Sequence, residues 1–203
     1  MAGALVLAFL RSCVSIILKR GKLLAFFSFL YFSSVFLTAL VAAFIFPPPL
    51  YVGGSSSVFG NFLFGDAVVT VVWIFVFNLV LSAFIVVTLS GLAFFPLSAV
   101  ALFVRAVLWG FLICPLPAWA FLVVLPTLVF EGEAYVFAGV AGTMLGVSWF
   151  KPRWVFKGES QLSRRDSLKR AFGELKQVYF FVVLLLFVGA IVETLAMAYF
   201  FSF

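Results

Sequence analysis

The sequence contains no histidine among its 203 residues. Histidine is the commonest metal ligand and the usual general base, so its absence excludes a Ser-His or Cys-His nucleophile and deprives a metal centre of its usual donor. We therefore predict that the protein is not an enzyme. We expect no catalytic residues, no metal site and no cofactor.

Cysteine is almost absent as well, since Cys13 and Cys114 are the only two in the chain. The membrane topology inferred below places them near opposite faces of the bilayer. We therefore expect no disulfide between them, and neither residue indicates a metal site.

Charged residues are scarce: they make up 10% of the chain, whereas 66% is hydrophobic and the mean hydropathy is +1.31. No soluble core absorbs that much apolar surface. Several uninterrupted apolar runs are long enough for a helix to cross a hydrocarbon layer of about 30 Å, whereas a barrel would show short alternating segments. The sequence therefore predicts an all-α fold, a polytopic bundle of transmembrane helices.

The basic residues that are present cluster in two blocks. Of the thirteen Lys and Arg residues, four precede Leu23 and eight lie between Lys151 and Lys176. Such blocks beside apolar runs indicate the cytoplasmic side of a plasma membrane rather than nucleic-acid binding. Five crossings place both blocks on that side, with the N-terminus in the cytoplasm and the C-terminus outside.

The predicted segments follow from the apolar runs and the breaks between them. Residues 1–22 are predicted to form an amphipathic helix in the membrane interface, with a frayed first half of the next crossing as the alternative. Residues 151–177 are predicted to be a basic cytoplasmic segment. The predicted crossings are 23–46, 67–90, 96–114, 118–150 and 178–203.

The fourth crossing is predicted to be broken. Its 33 residues are too many for one straight crossing, and Pro126 with the triplet Glu131-Gly132-Glu133 indicates a break near the middle of the membrane. One broken crossing and a re-entrant pair both stay open as interpretations. The role of Glu133 also stays open.

The basic blocks are predicted to face lipid headgroups. In the second block, a stripe at helical spacing includes Leu168, Phe172 and Leu175, which indicates either a helix lying on anionic lipid or a docking surface for a partner. The predicted partners are membrane lipids and other membrane proteins or further copies of this chain, and no nucleic acid. The basic residues predicted to face lipid are Arg11, Lys19, Arg20, Arg164, Arg165, Lys169 and Arg170.

Four polar residues are predicted to share one layer near the middle of the membrane. At about 1.5 Å of rise per residue, Asn78, Arg105 and Glu193 lie about 13 to 17 Å from the outer ends of their crossings. Glu131 lies at most about 20 Å from the outer end of its own. Since a charge at this depth needs a partner, we predict a pair between Arg105 and Glu131 within a buried polar network. A structural clamp and a transport site are both compatible with this layer.

A stripe of small residues follows Glu131 on nearly the same helix face. Such stripes let another helix approach closely, so this face is predicted to point inward. Glu133 falls on a different side. The predicted packing residues are Ala134, Ala138, Gly142 and Gly146.

The same stretch carries the chain's most specific motif. It reads Pro126-Thr-Leu-Val-Phe130-Glu131-Gly-Glu133-Ala134, then Ala138-Gly-Val-Ala-Gly142-Thr-Met-Leu-Gly146. This resembles the Pro-His-Gly-x-Phe-Glu-x-Pro-Ala and Ala-Gly-x-x-Gly-x-x-x-Gly motifs of the stage II sporulation protein M family. Asn78 and Ile191-Val-Glu193 match two further marks of that family, and Arg105-Ala106 stands where its members carry Asn-Gly.

The chain departs from the family motif at three positions. Thr127 and Leu128 replace its His-Gly, and Glu133 replaces its proline, so a role that needs an imidazole there does not transfer. The resemblance covers about residues 67 to 203. It implies about five transmembrane helices and a role in membrane-associated assemblies, with no established cofactor or reaction.

The leading functional prediction is a non-enzymatic membrane protein that oligomerises or scaffolds an assembly. The alternative is a small transporter or channel component in which Glu131, Glu193 and Arg105 bind a solute, an ion or a proton. An intramembrane hydrolase that uses two acids comes third, because nothing indicates that Glu131 and Glu133 converge on a substrate.

Overall fold

The computed structural model describes residues 2–45, 67–114, 116–150 and 163–201, which form six helices and no strand. The all-α prediction is confirmed for this part of the chain. Residues 46–66, which include the link between the first two predicted crossings, and residues 151–162 of the basic segment lie outside the described residues. The helices are α1 (Ala2–Lys19), α2 (Gly21–Ile45), α3 (Ala67–Ala93), α4 (Leu97–Ile113), α5 (Ala118–Phe150) and α6 (Arg164–Phe201).

Four of these helices, α2, α3, α5 and α6, are long and apolar enough to cross a membrane. α4 is also apolar, and its 17 residues correspond to about 25 Å of helix. The protein is therefore a multi-pass membrane protein. The outward faces of these helices carry exposed large hydrophobic side chains such as Phe29, Trp73 and Leu195, as expected for surfaces in contact with lipid.

α5 is the central helix of the bundle and contacts α2, α3, α4 and α6. Its buried side chains run almost without interruption from Glu131 to Ser148 and include many small residues. Small side chains allow neighbouring backbones to come close on several sides of one helix. Around α5, α2 packs on α4, α4 on α3 and α3 on α6, while α1 contacts both α2 and α6.

The predicted break in the fourth crossing is not present, because α5 is one continuous helix of 33 residues. Pro126 lies inside it with an exposed ring, so its missing N–H weakens the helix only locally. Gly132 serves close packing instead of a break, since a Cβ there would lie 2.6 Å from Cε1 of Tyr31. The triplet 131–133 is therefore regular helix with unusual neighbours.

The irregular part of the bundle lies in α3, where Phe77–Leu89 form a π-helix. Hydrogen bonds from residue i to i+5 widen the turn, so side chains four to five positions apart share a face. This face is buried, and it collects most of the polar residues of α3. Its buried residues are Asn78, Ser82, Ala83, Val87 and Thr88.

α1 is a separate helix that packs against α6. Ser12 Oγ donates to Gln177 Oε1 at 3.1 Å, and the rings of Phe9 and Phe180 meet edge to face with centroids 5.5 Å apart. Cys13 is 1% exposed, on the face that packs inward. One face of α1 therefore packs against protein, and its other faces carry exposed basic and apolar side chains.

Residues 164–176 of the second basic block and the last crossing form one helix, α6, of 38 residues or about 57 Å. At its start, Ser163 Oγ donates to Asp166 Oδ2 at 2.6 Å and accepts from the Asp166 N–H at 3.2 Å, which caps the helix. Ala171 and Leu175 then pack toward Leu145 of α5. Most of the predicted apolar stripe therefore covers the bundle, whereas Phe172 is 42% exposed.

Candidate functional site

The candidate site is a polar network inside the bundle, centred on Glu131 of α5. Glu131 is 2% exposed, and its Oε1 accepts a 2.6 Å hydrogen bond from Asn78 Nδ2 on α3. The π-helical turn directs Asn78 inward. A charge-assisted hydrogen bond of this length is among the stronger contacts between two helices.

Arg105 of α4 approaches the same amide from its other end. Its Nη2 donates to Asn78 Oδ1 at 3.1 Å and to Tyr135 Oη at 2.7 Å. The guanidinium carbon also lies 4.7 Å from the centroid of the Tyr135 ring, within cation–π range. Arg105 is thus held by two neighbouring helices.

Arg105 and Glu131 do not bond to each other directly, which differs from the predicted pair. An ion pair joins Arg20 to Glu174, away from this network. Asn78 lies between the two charged groups because its amide offers an acceptor to the guanidinium and a donor to the carboxylate. The charges therefore interact through one shared neutral partner.

Glu193 of α6 completes this group, since it follows Gly189 by one helical turn and the backbone of Gly189 lies against Glu131. Two carboxyl groups form a hydrogen bond only when they share a proton, because an ionised carboxylate has no donor. Gly189 leaves room for this approach, since a Cβ there would lie 3.3 Å from Cγ of Glu131. With one shared proton, the acid pair balances the charge of Arg105.

Sequence reasoning missed two tyrosines of this network. Tyr135 follows Glu131 by one helical turn and is fully buried. Tyr31 of α2 is also fully buried, packs on Gly132, and lies among Arg105, Glu131 and Tyr135. The spacing of Tyr135 from Glu131 was a usable signal, because a buried tyrosine hydroxyl usually has a polar partner. For Tyr31 the sequence holds no comparable signal.

A second group of polar contacts lies one to two helical turns along α5 from the network around Glu131. Thr88 Oγ1 of the π-helix donates to the Ala138 carbonyl at 3.1 Å and lies 2.6 Å from Tyr179 Oη. Ser98 Oγ donates to the Val87 carbonyl at 2.9 Å. These hydroxyls join α3 to α4, α5 and α6, and no single residue among them stood out in the sequence.

The predicted small-residue stripe lies inside the protein. Ala134 and Ala138 are fully buried, and a Cβ on Gly142 would lie 2.8 Å from the Thr88 carbonyl oxygen. A Cβ on Gly146 would lie 3.0 Å from Cα of Phe95. The stripe therefore packs α5 against α3 and the link to α4, and it is covered by the chain itself.

Glu133 lies apart from the network, on the side of α5 that faces α2. It is partly buried, and its Oε2 accepts a 3.4 Å hydrogen bond from Ser28 Oγ. Since its hydrogen bond with Ser28 is long, Glu133 makes a weaker contact than Glu131 does.

The predicted lipid-facing cations lie at one end of the bundle, which we call the basic end. Arg20 is the exception to their exposure: its Nη2 is 3.2 Å from Glu174 Oε2, and both side chains are less than one-fifth exposed. This ion pair joins the turn between α1 and α2 to α6. The exposed cations are Arg11, Lys19, Arg164, Arg165, Lys169 and Arg170.

Within the described ranges, no group of three or more Cys, Asp or Glu side chains lies together in a way that could hold a metal ion. The amide, guanidinium, carboxyl and phenol groups of the network can form hydrogen bonds, balance charge and hold a proton. Asn78, Arg105, Glu131 and Glu193, the four residues of the predicted polar layer, are all part of it.

A family model described as Stage II sporulation protein M matches residues 23–196, which is most of the chain. The protein belongs to the stage II sporulation protein M family. No curated protein and no solved structure matches the chain. In this family member, Thr127 stands at the histidine position of the family motif. Its hydroxyl is buried one turn before Glu131, without a hydrogen-bond partner among the described residues.

Proposed function

We propose that this family member is a non-enzymatic scaffold of a membrane-associated assembly, and that its polar network is a clamp that fixes the helix arrangement. One observation carries the proposal: the central groups are sealed from solvent. Glu131 is 2% exposed, Asn78 is 7% exposed, and Tyr135 is fully buried. Because these groups bond to one another across α3, α4 and α5, they favour a fixed bundle over an open path.

The basic end is the proposed contact surface. It combines the exposed cations of α1 and α6 with the exposed Phe172, and the Arg20–Glu174 ion pair holds the two helices in a fixed relation. We place this end in the cytoplasm, against the anionic headgroups of the plasma membrane. The N-terminus then lies in the cytoplasm and the C-terminus outside.

The scaffold is proposed to act with further copies of itself or with other membrane proteins. The partner surface is not the small-residue stripe, since α3 and α4 already cover it. A surface for other proteins is then found among the exposed residues of the basic end and the outer helix faces.

Native mass spectrometry in nanodiscs of phosphatidylglycerol tests this proposal. We expect species at multiples of the 22.4 kDa chain or mixed complexes after mild cross-linking in cells. The variant Arg165→Glu with Lys169→Glu should weaken them, whereas Leu195→Met, at an exposed position near the other end of α6, should not. A monomer under all conditions, with no cross-linked protein in cells, would contradict the scaffold.

Proton or solute transport is the second candidate, and the contact between Glu131 and Glu193 favours it. Glu193 is only partly buried, so it offers a route from the surface to the sealed Glu131. Proteoliposomes with a pH-sensitive dye measure this directly. Proton flux that Glu131→Gln abolishes would support transport, and no flux from the unmodified protein would rule it out.

A further inference from the structure

Two buried polar atoms of the network have no hydrogen-bond partner among the described residues: Tyr31 Oη and Arg105 Nε. Tyr31 is fully buried, so its hydroxyl cannot turn to bulk solvent. An unsatisfied donor inside a protein is costly, and buried polar groups that lack a protein partner are commonly satisfied by ordered water.

The two atoms belong to different helices that meet at the same part of α5. The ring of Tyr31 lies against Gly132, between the positions of Glu131 and Tyr135. Arg105 directs its Nη2 to Tyr135 and Asn78, whereas its buried Nε–H has no hydrogen-bond partner among the described residues. Arg105, Glu131 and Tyr135 are the charged and titratable groups around the Tyr31 hydroxyl.

We propose that one water molecule is bound in this interior site. It accepts a hydrogen bond from Arg105 Nε and forms a second hydrogen bond with Tyr31 Oη, as donor or acceptor. A ligand here must accept from a guanidinium N–H and also pair with a phenol, and water does both. A small anion fits the charge less well. With one proton shared by Glu131 and Glu193, the network is already neutral, and an anion would leave it negative.

The water connects α2 to the network. Without it, the hydrogen bonds join α3, α4, α5 and α6 through Asn78, Arg105, Glu131 and Glu193. With it, each of the five apolar helices α2 to α6 contributes a polar group to one connected layer. This inference does not depend on the proposed scaffold role, since a clamp and a proton relay both use a bound water.

The sign of a single stability change tests the proposal. If no water is bound, the Tyr31 hydroxyl has no partner, and Tyr31→Phe removes a buried unsatisfied group. The melting temperature should then stay unchanged or rise. Replacing a hydroxyl that bonds to water breaks a hydrogen bond and leaves the water with one partner fewer. We therefore expect Tyr31→Phe to lower the melting temperature of the full chain in detergent.

Tyr135→Phe is the matched reference, because its hydroxyl has a 2.7 Å bond to Arg105. We expect both variants to lower the melting temperature. An unchanged or raised value for Tyr31→Phe beside a lowered value for Tyr135→Phe would overturn the proposal.

A crystal structure grown from a lipid phase identifies the ligand. We expect one density peak about 2.7 to 3.2 Å from both Tyr31 Oη and Arg105 Nε, at the scattering strength of water. No peak would overturn the proposal. Replacement of the peak by bromide after soaking would overturn it as well, because the site would then take an anion.

Discussion

Asn78 Nδ2 lies 2.6 Å from Glu131 Oε1, and this hydrogen bond joins the π-helical part of α3 to the centre of α5. The other end of the same amide accepts from Arg105. One neutral side chain therefore separates and connects the two charged groups of the bundle interior.

Asn78→Leu is predicted to be strongly destabilising. Leucine has a similar size but neither accepts from Arg105 nor donates to Glu131, so both charged groups lose a buried partner. Hydrogen bonds to charged groups contribute about 1.5 to 3 kcal/mol each, so we expect a loss of about 3 kcal/mol or more. Thermal unfolding in detergent measures it. Val80→Leu, at a position of α3 that is 48% exposed, is the control and should change little.

Gly142→Ala is predicted to destabilise the bundle, because its Cβ would lie 2.8 Å from the Thr88 carbonyl oxygen and 3.0 Å from Thr88 Cα. Backbone atoms cannot move aside cheaply, so we expect a cost of about 1 to 3 kcal/mol. Gly173→Ala is the matched control. No atom lies within 4 Å of its Cβ position, and alanine should stabilise α6 by about 0.5 to 1 kcal/mol.

A lower stability of Gly142→Ala and a higher stability of Gly173→Ala in the same unfolding assay would support the close packing of α5 on α3. Equal and small effects at Gly142 and Gly173 would show that α5 and α3 are further apart than the structure places them.

Much of the fold could be predicted because it depends on length and composition alone. Apolar runs of sufficient length predict helices, and the rise per residue brings Asn78, Arg105, Glu131 and Glu193 to similar depths. The structure joins these four residues in one network. Depth in a membrane is thus a usable coordinate even without knowledge of which helices are neighbours.

The missed features depend on what surrounds each residue. Pro126 predicted a break, but α5 continues through it, because a proline removes one backbone hydrogen bond and the turns on either side keep theirs. Gly132 looked like part of that break, whereas it makes room for Tyr31. The π-helix of α3 leaves no local pattern in an apolar sequence, because its wider turn follows from the partners that Asn78 and Thr88 find.

The Arg20–Glu174 ion pair is predicted to hold α1 in place. Burial raises the pKa of the Cys13 thiol, and since the thiolate is the reactive form, Cys13 should react slowly with a maleimide. Glu174→Gln should loosen α1 and speed that reaction several-fold, measured in a Cys114→Ser background. The reaction should also become faster as pH rises.

Lys176→Gln is the control for that experiment, since Lys176 is exposed on the same helix. The ion pair is close to the surface, so its loss should cost less than about 1 kcal/mol in overall stability. An identical rate of Cys13 labelling in both variants would show that other contacts, such as Ser12 with Gln177, hold α1 alone.

The contact between Thr88 and Tyr179 is predicted to be energetically coupled. Tyr179→Phe removes the 2.6 Å hydrogen bond and a long 3.4 Å contact to the Ala83 carbonyl, and should cost about 1 kcal/mol. Thr88→Val removes the 2.6 Å bond and the 3.1 Å bond to the Ala138 carbonyl, and should cost more. The double variant should lose less stability than the sum of the two single losses. Leu184→Met, at an exposed position of α6, is the control, and strictly additive losses would mean that the hydroxyls do not interact.

Arg105 and Glu131 are predicted to be coupled although no bond joins them directly. Arg105→Gln removes the positive charge and leaves the shared negative charge of Glu131 and Glu193 without a counter-charge, which should destabilise the fold strongly. Adding Glu131→Gln leaves a single carboxyl group, Glu193, which is neutral once it holds the proton, so the double variant should be more stable than the sum of the single losses predicts, by about 0.5 to 3 kcal/mol.

Glu133 provides the matched control for this cycle. It lies two residues from Glu131 on the same helix, but its carboxylate faces Ser28 of α2 instead of the network. Arg105→Gln combined with Glu133→Gln should therefore give nearly additive losses. A coupling that is equal in both cycles would mean that Arg105 acts on α5 through its general charge, whereas a coupling confined to Glu131 requires the path through Asn78.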